Sequence, residues 1–255
     1  MERCCYCGKP FAEFYDSILE GDPYAEKYYQ IVNRFIEKYN PTARKILELA
    51  VGTGNVIGKF PSQKFELHGL DISENYLKIA REKYPHIKYY KQDMSSFQVG
   101  EKFDVIFLIF DAINWLTSFS KWESLFDRVK EHLNPNGLFI FNTYSKRALN
   151  LFKKWENYSI TKFSKGIMFD KPSVKRNTLT WEVLLFEKAE NHIYQLHRYE
   201  LIEKIYSLTT IKRALSKRLQ ILEILDEETG GKVTPKTFKI IFVCQERENT
   251  KLKRV

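Results

Sequence analysis

Short apolar runs alternate with amphipathic stretches along most of the chain, separated by polar or glycine-rich breaks. From Phe11 to Tyr39, Phe14, Ile18, Tyr24, Tyr28, Ile31, Val32, Phe35 and Ile36 recur at helical spacing, which predicts helix. Gly21-Asp22-Pro23 interrupts this run, with Asp22 and Pro23 suited to an N-cap and a first helical turn. Two helices are therefore expected ahead of the first strand. Lys45 to Leu49 alternates β-prone apolar residues and runs into Ala50-Val51-Gly52-Thr53-Gly54, a tight turn before an amphipathic helix start at Val56 to Phe60. Strands follow at Phe65 to Ser73, Ile87 to Lys91, Phe103 to Phe110 and Leu138 to Asn142. The intervening helices are one capped by Ser73 and stopped by Pro85, and one over Lys121 to Leu133. Asn134-Pro135-Asn136-Gly137 reads as a turn. The near-continuous apolar run at Phe103 to Phe110 is that of a central parallel strand.

From about Leu151 to Ile205 the texture changes to shorter alternating runs, such as Thr178 to Phe186 and His192 to Leu201. These predict antiparallel strands. The segment is too long for a plain loop, so residues 151–205 read as a β-rich cap inserted into an α/β pattern. The pattern then resumes with a helix over Ser207 to Arg218, a strand at Leu219 to Leu225 and a last strand at Thr237 to Gln245. With no helix between them, these last two strands form a hairpin, and the final one runs antiparallel. The expected division is a core of residues 11–150 and 206–246, the cap at 151–205, and tails at 1–10 and 247–255. Within the core, residues 11–40 form helices over the site.

In open α/β sheets, ligands sit outside the carboxyl ends of the strands. Four such ends converge here: Glu48 to Gly54, Asp71, Gln92-Asp93-Met94, and Phe110 to Trp115. Gly52 and Gly54 allow a sharp turn that leaves main-chain N–H groups open to a ligand. Asp71, ending the second strand, faces the ribose of a nucleotide held by that turn. Asp93 with Met94 suits the amine and face of an adenine, although Asp93 alone would more often be a turn residue. A dinucleotide would require G-x-G-x-x-G, whereas Gly52, Gly54 and Gly58 are spaced G-x-G-x-x-x-G. A second dinucleotide-binding half is also missing.

This ordered set resembles the motifs of class I S-adenosylmethionine-dependent methyltransferases. Glu48 to Asn55 is similar to that family's first motif, and Asp71, Gln92-Asp93-Met94 and Phe103 to Asp111 match its later ones in order. Ala50 stands where many members have glycine. The resemblance covers roughly Phe11 to Gln245. The Phe-Ala-x-x-Tyr-Asp pattern at Phe11 to Asp16, with the β-rich insertion, looks most like small-molecule N-methyltransferases of the glycine and amino-sugar type. It implies a Rossmann-like α/β fold: a seven-stranded, mostly parallel sheet with an antiparallel last strand, plus an inserted antiparallel β-rich cap. It also implies S-adenosyl-L-methionine as cofactor. Ala50, Gly52, Thr53 and Gly54 would hold its methionine portion near Glu48. Asp71 would take the ribose hydroxyls, with Gln92, Asp93 and Met94 at the adenine and Ile72 and Phe110 completing the set. Tyr15 and Tyr24 would close over the methionine end.

The acceptor expected from this resemblance is a small molecule, with Asp111 and Asn114 as the residues that orient it. Tyr144, His192 and His197 are weaker candidates at the same mouth. An RNA methyltransferase on the same fold is the alternative. The charge of +9 and the basic and aromatic residues Lys162, Phe163, Lys165, Phe169, Lys171, Lys175, Arg176 and Trp181 favour it. Against it, no Asn/Asp-Pro-Pro-aromatic turn ends the fourth strand, and no appended RNA-binding domain is visible. A non-catalytic cofactor-binding scaffold is the third reading, disfavoured by intact acids at three strand ends. No apolar run approaches the roughly 18 residues of a membrane span, and no signal region opens the chain, so a cytoplasmic protein without membrane association is expected. Cys4-x-x-Cys7 has the shape of half a zinc knuckle, but a closed site needs two further ligands at matching spacing. No metal is expected.

Overall fold

The computed structural model describes residues 8–19, 23–189 and 193–246. Cys4, Cys7, Asp22, His192 and the tail at 247–255 lie outside these residues. Helices α1 (Lys9–Leu19) and α2 (Pro23–Tyr39) come first, as the periodicity predicts. Then β1 (Lys45–Leu49), β2 (Glu66–Asp71), α3 (Glu74–Lys83), β3 (Lys88–Lys91), β4 (Phe103–Leu108), α4 (Phe119–His132) and β5 (Leu133–Tyr144) alternate. A short helix α5 (Lys146–Phe152) leads into β6 (Ser159–Phe163), β7 (Gly166–Lys175), β8 (Thr178–Lys188) and β9 (Tyr194–Lys204). Helix α6 (Leu208–Leu215) and strands β10 (Gln220–Asp226) and β11 (Lys239–Gln245) complete the order.

Seven strands form one sheet in the order β10-β11-β5-β4-β1-β2-β3. Strands β1 to β5 pair in parallel, while β11 runs antiparallel to both β5 and β10. Neighbouring positions on β4 show why the sheet is covered on both faces. Ile106 and Leu108 pack with Trp122 and Phe126 of α4 and Ile211 of α6. Val105 and Phe107 point the other way, to Tyr28, Val32, Phe35 and Ile36 of α2. Chain order reverses between β1 and β4, and this places the crevice at the switch point of the sheet. A second, antiparallel sheet holds β6-β7-β8-β9. Its buried residues Val183, Leu185, Tyr199 and Leu201 pack on Phe11 and Phe14 of α1 and Tyr76 of α3.

Two local expectations need correction. The helix expected from Val56 is a single 3-10 turn, Ile57–Lys59. Pro61 follows at once, and a Cβ on Gly58 would lie 2.4 Å from the Tyr84 ring, so the segment is a tight packing turn. No helix N-terminus therefore backs the glycine turn. The turn expected at Asn134 to Gly137 is instead a bulge within β5, where the register on β4 shifts between Phe103 and Val105 and Asn136 takes φ 62°.

Ser145 joins β5 to α5 and to the loop before β11. Its hydroxyl accepts from the Arg147 and Ala148 amides at 3.0 and 3.3 Å and donates to the Thr237 carbonyl at 2.5 Å. Ser145→Ala is expected to destabilise the fold by about 1–2 kcal/mol, read as a lower urea midpoint at unchanged slope.

Candidate functional site

The crevice begins where β1 ends. Ala50 and Gly52 both take left-handed backbone, φ 51° and 55°, and only Gly52 does so without a Cβ penalty. The turn is tied to the end of β2, because Gly52 N–H donates to Asp71 Oδ2 at 2.9 Å. Asp71 Oδ1 accepts from Ser73 N–H at 2.8 Å, and each of its oxygens keeps acceptor capacity toward the crevice. Burial pushes the Asp71 carboxyl above its ordinary range, opposed by the N–H groups of Ser73, Gly52 and Ile72. Glu48, buried at the end of β1, accepts from Ile57 N–H at 3.0 Å. Burial raises its carboxyl as well, and the nearby Asp71 charge adds to the rise.

Tyr15, Glu48, Ala50, Gly52, Thr53, Asp71, Ile72, Gln92, Asp93, Met94 and Phe110 all line one crevice, joined by Phe11 of α1 and Trp115. Tyr15 lies over the glycine turn, 3.6 Å from where a Cβ on Gly52 would sit. Ile72 is 49% exposed, an apolar face at the crevice where a flat ring would cover it. The Gln92 side chain clamps its own loop through Gln98, accepting from its amide at 2.7 Å and donating to its carbonyl at 3.1 Å. Asp93 Oδ1 caps Ser95, accepting from its amide and hydroxyl at 2.7 Å, while Oδ2 lies 3.8 Å from Lys121 Nζ. The turn role foreseen for Asp93 and its place in the crevice are both present.

Several sequence-based assignments are corrected by where the side chains fall. Tyr24 is 55% exposed and does not line the crevice. Gly54 is not a crevice residue either; a Cβ there would press on Tyr84 at 3.1 Å, so this glycine serves close packing against the residue that caps α3. Asn114 is fully buried, its amide donating to Thr143 Oγ1 at 3.1 Å and to the Lys204 carbonyl at 2.8 Å. It fastens the 3-10 turn Ala112–Trp115 to β5 and β9. Asp111 is buried too, ion-paired with Lys239 Nζ at 2.8 Å and bonded to the Asn142 amide at 3.2 Å. His197 pairs with Glu187 on the second sheet at 2.9 Å, away from the crevice.

Phe110 and Asp111, at the end of β4, take φ 55° and 57°. Such backbone costs about 1–3 kcal/mol per residue and collects where a ligand site needs it. It turns the Phe110 ring onto Tyr28, centroids 4.6 Å apart, and sends Asp111 behind the crevice wall. There a polar cluster forms that the sequence did not reveal. Tyr28 Oη donates to Glu227 at 3.0 Å, and the Asn142 amide reaches Tyr28 Oη, Asp111 and Glu227. On β9, Glu203 accepts from Trp181 Nε1 at 3.0 Å. Burial, with the Asp111 charge, pushes the Glu203 carboxyl up to about 8. Lys239 and Glu203 could have been found as charged residues in otherwise apolar strand patterns.

A folded-state carboxyl raised from 4.5 to about 8 stabilises the fold in its protonated form. That contribution is present below pH 4.5 and is lost as pH rises through about 8. Wild type is therefore expected to lose stability relative to Glu203→Gln between those limits, measured as thermal midpoints at acid and mildly alkaline pH.

Among the described residues, one group has metal-ligand geometry: Glu66, His68 and Glu101. Lys45 and Lys88 already pair with its carboxylates, so a cation meets two ammonium groups there.

The family described as "Methyltransferase domain" matches residues 46–137, the span from β1 into β5 that carries all four strand ends. A Geobacillus sp. (strain WCH70) protein named as a methyltransferase is 24% identical over 242 residues, covering 92% of this chain and 98% of its own. A Streptomyces venezuelae enzyme named dTDP-3-amino-3,4,6-trideoxy-alpha-D-glucopyranose N,N-dimethyltransferase is 28% identical over 131 residues, 51% of this chain and 55% of its own. The alignment to it thus spans about half of each. The crystal structure of an S-adenosylmethionine-dependent methyltransferase from Clostridium acetobutylicum superposes with a TM-score of 0.80 at 22% identity, covering 93% of this chain and 98% of that one. Residues 46–137 thus match a methyltransferase domain, and the fold is that of solved S-adenosylmethionine-dependent methyltransferases. The neighbours of this fold are named for S-adenosylmethionine. The crevice suits that molecule: a Cβ-free turn, acceptors on Asp71 and the apolar face of Ile72 are the parts it needs. Among the described residues, no helix is long and apolar enough to cross a membrane.

Proposed function

We propose that this enzyme methylates the nitrogen of a small-molecule amine. One observation carries most of this reading: the second sheet roofs the crevice. Phe11 lines the crevice and stacks edge-on against Tyr199 of β9, with centroids 5.0 Å apart. In the same layer Phe14 meets Phe163 at 4.6 Å. A mouth roofed in this way favours a compact acceptor over a polymer, with residues 151–205 acting as the acceptor cap. The relatives named as amino-sugar N,N-dimethyltransferases support nitrogen as the target.

When bound, S-adenosylmethionine supplies an activated methyl group on sulfur, which the acceptor's lone pair takes as the carbon–sulfur bond breaks. The chain's task is then alignment and exclusion of water. Tyr15 covers the glycine turn, and Asp71 with Glu48 fixes the crevice floor. Trp115, packed with the second sheet, and Phe110, set on Tyr28 of α2, wall its sides.

The test is incubation with methyl-labelled cofactor and a panel of nucleotide-linked amino sugars, free amino sugars and glycine, with products mapped by mass spectrometry. Methyl groups on nitrogen of a panel member are expected. Methylation of RNA with none of the amines turned over would contradict the reading.

A further inference from the structure

The four-stranded sheet has a second face, turned away from α1 and the crevice. Strand β8 carries Val183-Leu184-Leu185-Phe186, an unbroken apolar run of the kind found in strands covered on both sides. Val183 and Leu185 are buried against α1 and α3. Leu184 and Phe186 alternate onto the opposite face. The register brings Phe169 and Ile167 of β7 beside them, with Ile160 of β6 and Leu196 of β9 outside those. Phe169 and Phe186 meet edge-on, with centroids 5.6 Å apart. Ile160 is 60% exposed and Leu196 40%. Among the described residues, none of these six side chains joins a buried cluster. A contiguous apolar face of this kind on a folded chain marks an interaction surface.

Charge and area together point to what covers it. The next row along the strands is Lys171, Glu182 and Glu200, directly opposite one another on β7, β8 and β9. Tyr158 donates to Glu182 Oε2 at 2.8 Å, and Lys171 Nζ lies 5.6 Å from the Tyr158 ring centroid. Lys162 and Arg198 stand at the ends of the two apolar rows. The face therefore interleaves cations with carboxylates. A nucleic acid or an anionic lipid surface calls for a field of one sign, and Glu182 beside Glu200 opposes it. A second copy of the same face answers both signs. The strands of 5, 10, 11 and 11 residues, about 4.8 Å apart and rising about 3.4 Å per residue, give a face of about 600 Å². Two such faces bury about 1,200 Å², which reaches the range of specific, stable interfaces.

We propose that two copies of this chain associate through these outer faces, sheet on sheet, about a two-fold axis that runs along the strands between β7 and β8. That axis lays each row on its own counterpart. Phe169 then meets Leu184, and Ile167 meets Phe186, across the interface. Lys171 of each copy faces Glu182 of the other, which offsets the repulsion between Glu182 and Glu200. The contact is isologous, so one patch serves both copies and assembly closes at two. The inner face keeps its contacts with α1, so each copy retains its own crevice while its partner stiffens the roof over it.

The test is sedimentation equilibrium of the full chain at micromolar concentrations. A mass about twice the 30.3 kDa of one chain is expected. Lys171→Glu and Glu182→Lys, each alone, set like charges across the axis and should weaken association at least about tenfold. Mixed in equal amounts, the two variants should associate as wild type does, because each copy then supplies the sign the other lacks. Rearrangement of charges within one chain cannot produce that rescue. Leu184→Asp should give a monomer with the circular dichroism of wild type. A wild-type chain that stays at 30.3 kDa overturns the proposal, including one that is monomeric and pellets with anionic vesicles or binds RNA. A dimer unmoved by Leu184→Asp overturns it too, as does a mixture that associates no better than its components.

Discussion

Replacing Asp71 with alanine is expected to weaken binding of S-adenosylhomocysteine about a hundredfold. Hydrogen bonds to a charged acceptor contribute about 1.5–3 kcal/mol each, and about 1.4 kcal/mol is a factor of ten in affinity. The carboxylate has two tasks, because it holds Gly52 N–H at 2.9 Å and Ser73 N–H at 2.8 Å while presenting its remaining lone pairs to the crevice. Alanine removes the acceptors proposed for the ribose and releases the turn proposed to cradle the methionine portion. Asp71→Asn keeps one acceptor oxygen but turns an NH2 toward one of the two N–H donors, so a smaller loss is expected. Calorimetric titration of both variants checks the order, with urea unfolding to separate lost affinity from lost fold. Equal affinity in wild type and Asp71→Ala would remove Asp71 from the cofactor site.

The second large effect is expected at a residue far from the cofactor motifs. Lys239→Met leaves Asp111 buried without its ammonium, and breaking one side of a buried pair destabilises by about 3 kcal/mol. Burial already raises the Asp111 carboxyl, with Lys239 the principal opposing influence. Without Lys239 the Asp111 carboxyl is expected to rise further, so the loss should grow as pH rises through its titration. The double variant Asp111→Asn with Lys239→Met removes both charges and should recover most of the stability. Urea unfolding of the two single variants and the double variant gives the coupling directly. A loss under about 0.5 kcal/mol in Lys239→Met would mean the pair is solvated and the cluster is not a buried one.

The sheet was legible because its strands are apolar runs bounded by glycine, proline and acids. The crevice was legible for a related reason. Ala50, Gly52, Thr53, Asp71 and Asp93 follow strand ends closely in the chain, so local pattern places them. Asp111 and Asn114 followed a strand end too, yet their roles were set from a distance. Asp111 answers to Lys239 and Asn142, and Asn114 to Thr143 and the Lys204 carbonyl. No local spacing shows those partners. The single turn at Ile57–Lys59 was missed for another reason: its limits come from Tyr84 pressing on Gly58, a contact between separate elements. Period-two alternation did contain the signal for Glu203, since Tyr199, Leu201 and Glu203 share one face of β9. A carboxylate in line with two apolar side chains on a strand marks a buried charge by its position alone.

The most direct test of the account is calorimetric titration of the unmodified protein with S-adenosylhomocysteine and, separately, with NADH. Binding of S-adenosylhomocysteine at one site per chain, with no heat from NADH, is the predicted result. Binding of NADH alone would contradict the assignment of the crevice, because the G-x-G-x-x-x-G turn and Asp71 would then serve a dinucleotide.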